Sequence, residues 1–104
     1  MFEGGRPFCV RPLPAVNLAE VLATSDVPGG VVNILTGSYA GPAPWLASHM
    51  DVNAIDLTGA AGDPESATSF EEAAAENLKR VLRAPDAEPD WTRDPGTDRM
   101  TTFL

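Results

Sequence analysis

Two apolar runs of strand length organise this chain. Val31-Val32-Asn33-Ile34-Leu35 is nearly continuous in apolar residues and rich in β-branched ones, the pattern of a strand covered on both faces. Pro28-Gly29-Gly30 before it permits a tight turn, and Thr36-Gly37 ends it. The second run, Val52 to Leu57, also ends in Thr-Gly, at Thr58-Gly59. A short helix fits between them, about Ala43 to His49, because Pro42 and Pro44 suit a first helical turn but not an interior. Phe8-Cys9-Val10 reads as the end of an earlier strand, stopped by Pro12 and Pro14. Asn17 then reads as a helix N-cap with Glu20 as its capping-box partner, which predicts a helix over Leu18 to Ser25 with Leu18, Val21 and Leu22 on one face.

Downstream, Asp63-Pro64 and Ser69 with Glu72 offer two alternative helix starts. The apolar stripe Ala73, Ala74, Asn77, Leu78, Val81 and Leu82 predicts a helix from Phe70 to Arg83. Its acids (Glu71, Glu72, Glu76) lie early and its bases (Lys79, Arg80, Arg83) late, as the helix dipole prefers. Beyond Ala84 the periodicity ends. Pro85, Pro89, Pro95 and Gly96 alternate with acids, so residues 84–104 are expected to form an extended acidic arm with Trp91, Met100, Phe103 and Leu104 as scattered apolar anchors. The expected architecture is α/β: about three short parallel strands with helices on both sides, a partial Rossmann-like three-layer unit over residues 1–83, plus the arm. In such open sheets, ligands bind at the C-terminal ends of the strands.

Composition narrows the functions open to the chain. Its 104 residues make one domain, and hydrophobic residues are 43% of it with aromatics at only 7%, so the core must be built of Val, Leu, Ile and Ala. A net charge of −8 repels nucleic acid and anionic membranes and gives no help in attracting phosphates. No run has the length of a membrane span, and the N-terminus lacks a signal-peptide pattern, so a cytoplasmic location is expected. Cys9 is the only cysteine and His49 the only histidine, which excludes an internal disulfide and a zinc cluster. Cys9, between Phe8 and Val10, reads as a small buried or edge thiol, and His49 as the residue ending the short helix. Asp51, Asp56 and Asp63 are spread over a strand and loops and do not suggest a carboxylate pair for acid–base work.

Pro28 to Gly37 and His49 to Ala60 together resemble two phrases of the aldehyde dehydrogenase family, a "PxGVxNxxTG" phrase before a short helix and a "His-x-Asp-Val-x-x-Ile-x-x-Thr-Gly-Ser" phrase after it. The likeness spans roughly Val10 to Ala60 and keeps the family's order and spacing. It implies part of a nucleotide-binding domain that takes NAD or NADP. Carried over residue by residue, the nucleotide contacts would be Arg11, in place of a lysine beside the ribose, and Gly59 and Ala60 at the end of the second phrase, with Thr36, Gly37 and Ser38 at the end of the first as the other loop that could face a nucleotide. Several positions depart from the family pattern. Arg11 lacks lysine's geometry, Leu13 and Pro14 replace polar groups, and Ala60 replaces the serine that helps hold the pyrophosphate. Weak nucleotide binding follows, through backbone N–H groups of Gly59 to Gly62 at a helix start.

The family oxidises aldehydes through a cysteine nucleophile and a glutamate base, both placed well beyond the Thr-Gly-Ser phrase. No segment here resembles those regions. The resemblance is therefore to shortened relatives that lack the catalytic domain. It implies a truncated NAD(P)-binding fragment without catalysis of its own, or a non-catalytic interaction subunit or pseudo-enzyme that pairs with itself or with a full-length homologue. Homo-oligomers, or assembly with a homologous aldehyde dehydrogenase subunit, are the expected partners, and no metal is expected.

Overall fold

The computed structural model describes residues 12–87 and 89–104, so the reading of Phe8 to Val10 as a strand, and the positions of Cys9 and Arg11, lie outside the described residues. The described residues fall into two compact units, 12–39 and 40–104.

The first unit is built on helix α1, Leu13–Ala23. It starts earlier than the Asn17 cap predicts. Pro12 is its N-cap and a proline occupies its first positions, where the missing N–H has no intrahelical partner to lose. The Val16 N–H donates to the Pro12 carbonyl at 3.1 Å. The helix closes with hydroxyls. Thr24 Oγ1 donates to the Glu20 carbonyl at 2.9 Å and Ser25 Oγ to the Leu22 carbonyl at 2.8 Å. The glycine turn is as expected: Gly30 takes φ +87 and the Val31 N–H donates to the Pro28 carbonyl at 3.3 Å. The strand predicted after it is not formed. Val31 to Leu35 runs without a ladder, and Val31, Val32 and Leu35 stay exposed. A strand exists only through a neighbour, and among the described residues this segment pairs with none.

The second unit contains α2 (Pro42–Ser48), β1 (Ala54–Asp56), a 3₁₀ turn (Thr58–Ala60), α3 (Pro64–Ala75), β2 (Arg80–Leu82) and α4 (Asp98–Thr102). The short helix and the second predicted strand thus lie where the sequence places them, within a few residues. β1 and β2 pair in parallel, with Ala54 opposite Arg80, Ile55 opposite Val81 and Asp56 opposite Leu82. The Arg80 N–H reaches the Asn53 carbonyl at 3.0 Å and the Leu57 N–H the Leu82 carbonyl at 2.9 Å. Among the described residues the sheet therefore has two strands rather than three. α2 and α3 pack together. Each brings a fully buried alanine, Ala47 and Ala74, and the small side chains allow a close approach. Phe70, Ala67, Leu57 and Ala60 complete a core of small volume.

The helix predicted from Phe70 to Arg83 is corrected at both ends. It begins at Pro64, because Asp63 is the cap that is used: its carboxylate accepts from the Ser66 N–H at 3.1 Å. It ends at Ala75, and the residues expected to form its last turns become β2. Leu78 takes the left-handed conformation at φ 57. The Leu78 N–H then bonds the Ala75 carbonyl at 3.3 Å and the Lys79 N–H the Ala74 carbonyl at 3.1 Å, the two bonds of a Schellman ending. Glycine normally marks that position, and leucine gave no stop signal. The turn is held from the side by Lys79. Its Nζ is buried and donates to the His49 carbonyl at 2.5 Å and to Asn77 Oδ1 at 2.6 Å, while Asn77 Nδ2 donates to the same carbonyl at 3.1 Å.

Residues 84–104 are less extended than expected, since they carry α4 and return to the end of β1 through Arg99.

Leu78 is 91% exposed, so its side chain contributes no burial while its Cβ strains a left-handed backbone. That strain is about 1–2 kcal/mol, against about 0.5–1 kcal/mol for glycine's extra freedom in the unfolded chain. Leu78→Gly should therefore stabilise the protein by about 0.5–1 kcal/mol, read as a higher urea midpoint at unchanged slope. A lower midpoint would mean that Leu78 is not left-handed in solution.

Candidate functional site

The parallel strands end together. Asp56 closes β1, Leu82 closes β2, and the chain turns over both ends at Thr58. The turn is built locally. Asp56 Oδ1 accepts the Thr58 N–H at 2.9 Å, the Ala60 N–H returns to the Leu57 carbonyl at 2.9 Å, and the Asp63 N–H to the Ala60 carbonyl at 2.9 Å. Thr58 and Ala60 are buried, and Gly59 is exposed with open space where a Cβ would stand.

Arg99 joins this turn from 43 residues away. Its Nε and Nη2 donate to Asp56 Oδ2 at 3.1 and 2.5 Å, and Nη2 also donates to Thr58 Oγ1 at 3.0 Å. The guanidinium lies 5.5 Å from the centre of the Trp91 ring, in cation–π range. Thr58 thus accepts from Arg99 and donates to Asp56, and the three groups form one network. Partial burial opposes ionisation of Asp56. The Thr58 hydroxyl and N–H, together with Arg99, outweigh it and hold the carboxyl below its ordinary range. Asp90 is also lowered, by the Thr92 hydroxyl and N–H.

The residues singled out from sequence distribute unevenly. Gly59 and Ala60 sit in the turn at the strand ends. Thr36, Gly37 and Ser38 belong to the other unit, exposed, with Gly37 at φ +127. Arg11 lies outside the described residues. Of the Gly59 to Gly62 backbone, the Ala60 and Ala61 N–H groups are used within the turn, and the carboxylate of Asp63 already caps the helix that follows, with Glu65 in its first turn. His49 is the C-cap of α2, and its carbonyl receives Asn77 and Lys79. Among the described residues no three His, Cys, Asp or Glu side chains gather as metal ligands, and no helix is long and apolar enough to cross a membrane.

Sequence reasoning missed Arg99, and with it the role of Asp56. The one local hint was an acid at the last position of a strand before Thr-Gly. The partner is remote in sequence, and no periodicity connects the two.

Because folded Asp56 holds its proton less tightly than the unfolded chain does, protonation favours unfolding. The network's contribution is complete above about pH 5 and is lost as pH falls through 4 and below. Both side chains keep about a third of their surface in water, so the contribution should be about 1 kcal/mol or less. Asp56→Asn should lower the thermal midpoint at pH 7 and flatten its fall between pH 5 and 3. A variant that loses stability with the same acid slope would place the titration elsewhere.

A model of the aldehyde dehydrogenase family matches residues 6–85. The chain is 40% identical over 76 residues to the mitochondrial aldehyde dehydrogenase of Leishmania tarentolae. It is 39% identical over 77 residues to the aldehyde dehydrogenase, cytosolic 1, of Elephantulus edwardii and to that of Macroscelides proboscideus. Each match takes in 73% of this chain and 15% of the relative, so the chain spans about a seventh of their length. No solved structure matches it. With 80 of its 104 residues inside the family match, the chain belongs to the aldehyde dehydrogenase family.

Proposed function

We propose that this chain supplies a strand–turn–helix–strand portion of an aldehyde dehydrogenase nucleotide-binding domain and does not oxidise aldehydes by itself. The observation that carries the reading is the Thr58–Ala60 turn, which lies inside the family match and opens at the C-terminal ends of two parallel strands, the edge where open α/β sheets take ligands. NAD or NADP would meet this unit at Gly59 and Ala60 of the turn. The turn fits a pyrophosphate poorly. Ala60 has no hydroxyl, two of the nearby N–H groups are spent, and Asp63 places a carboxylate at the helix start. Nucleotide binding is therefore weak in this reading. A cytoplasmic location belongs to it too, as for the two cytosolic relatives and unlike the mitochondrial one.

Calorimetric titration of the purified chain with NAD and NADP tests the binding. A dissociation constant well above about 1 μM is expected, and Ala60→Ser should tighten it by about tenfold by restoring one hydrogen bond to a charged oxygen. Submicromolar binding by the unaltered chain, or nicotinamide reduction with an aldehyde, would refute the reading.

A second reading has its own observation. Trp45, Met50 and Leu78 expose 77%, 79% and 91% of their surface within one small unit, large apolar side chains that a partner surface could cover. An interaction subunit that assembles with itself or with a homologous chain accounts for them. Light scattering over a concentration series should show association that weakens in a Trp45→Ser, Met50→Ser variant. A monomer at every concentration would argue against self-association.

A further inference from the structure

The segment after the family match ends has a feature that the nucleotide reading does not use. Residues 89–104 fold back against the strand ends and line an open cleft of about 520 Å³, within the size range of small-molecule sites. Its apolar side is Leu82, Pro85, Pro89, Pro95 and the Trp91 ring. Three arginines and three aspartates make the polar side, so the lining carries no net charge.

Their commitments differ. Asp90 is engaged by the Thr92 N–H and hydroxyl, and Asp94 by the Gly96 N–H. Arg83 is paired with Glu71 at 3.0 Å. Arg99 spends Nε and Nη2 on Asp56 and Thr58, which leaves the two N–H groups of Nη1. The Arg93 guanidinium has no hydrogen-bond or ion-pair partner among the described residues. The Arg93 guanidinium and the two remaining N–H groups of the ion-paired Arg99 thus line a cleft that also carries prolines and a tryptophan, while two of its three carboxylates are already hydrogen-bonded.

We infer that this cleft is a binding site for a small aromatic carboxylate, its ring against Trp91 and the proline wall and its carboxylate on Arg93 and Nη1 of Arg99. Planar guanidinium groups match a carboxylate in geometry. The balanced lining favours a monoanion over a multiply charged phosphate. The inference is independent of nucleotide binding at Gly59 and Ala60.

Trp91 reports on the site. In a Trp45→Phe background its emission should change saturably with benzoate, with a dissociation constant of about 1 mM, as suits so small a ligand. Benzyl alcohol and benzylamine should bind at least about tenfold more weakly, and Arg93→Gln should cost benzoate about tenfold while leaving benzyl alcohol unchanged. Calorimetry on the unaltered chain should give the same order, which guards against damage from the Trp45 change. Absence of saturation by both methods would overturn the assignment. So would equal binding of all three probes, or indifference to Arg93→Gln. Tighter binding of adenosine monophosphate than of benzoate would assign the cleft to nucleotide and overturn it as well.

Discussion

The parallel pairing of Ala54–Asp56 with Arg80–Leu82 is the constraint on which the larger unit depends. Two strands of three residues bury little by themselves. Their pairing nevertheless fixes where everything else can go. It requires the chain to leave β1, cross through the Pro64–Ala75 helix and return in register, and it brings the two strand ends to one edge. The return is possible only because the helix stops at Ala75. Had it continued to Arg83, as its apolar stripe suggests, Val81 and Leu82 would have been helical and β1 would have had no partner. The left-handed Leu78 and the buried Lys79 therefore do a topological task. One turns the chain, and the other ties the turn to the end of the preceding short helix through the His49 carbonyl.

The same edge explains the chemistry. Asp56 is the last residue of β1, and its carboxylate would be left half-buried over the strand ends. Thr58 and Arg99 compensate that charge, and Arg99 can do so only if the C-terminal segment folds back. One acidic side chain thus takes part in both the Thr-Gly turn and the contact that holds Arg99 at the strand ends. The family match ends at residue 85, and the segment bearing Arg99 lies beyond it.

The sequence was legible where local chemistry decides. Pro42 and Pro44 marked the start of one helix, Asp63-Pro64 was one of two expected starts for another, and Pro28-Gly29-Gly30 announced a turn. It misled where a distant partner decides. Val31 to Leu35 has the composition of a buried strand, yet burial and pairing come from neighbours, and among the described residues it has no pairing strand. Val81 and Leu82 fit a helical stripe and a strand equally well, and β1 chose between them. Of the candidate site, Gly59 and Ala60 were readable because a Thr-Gly after a strand is a local signature. Arg99 was not, because only the fold brings it to Asp56.

Amide hydrogen exchange read residue by residue tests whether the β1–β2 ladder organises the unit. The Leu57 and Arg80 N–H groups, which bond across the strands, should exchange slowly and together, while Val32 to Leu35 should exchange at near-unprotected rates. Protection of Val32 to Leu35 equal to that of Leu57, or a helical pattern of protection running through Leu78 to Leu82, would contradict the account.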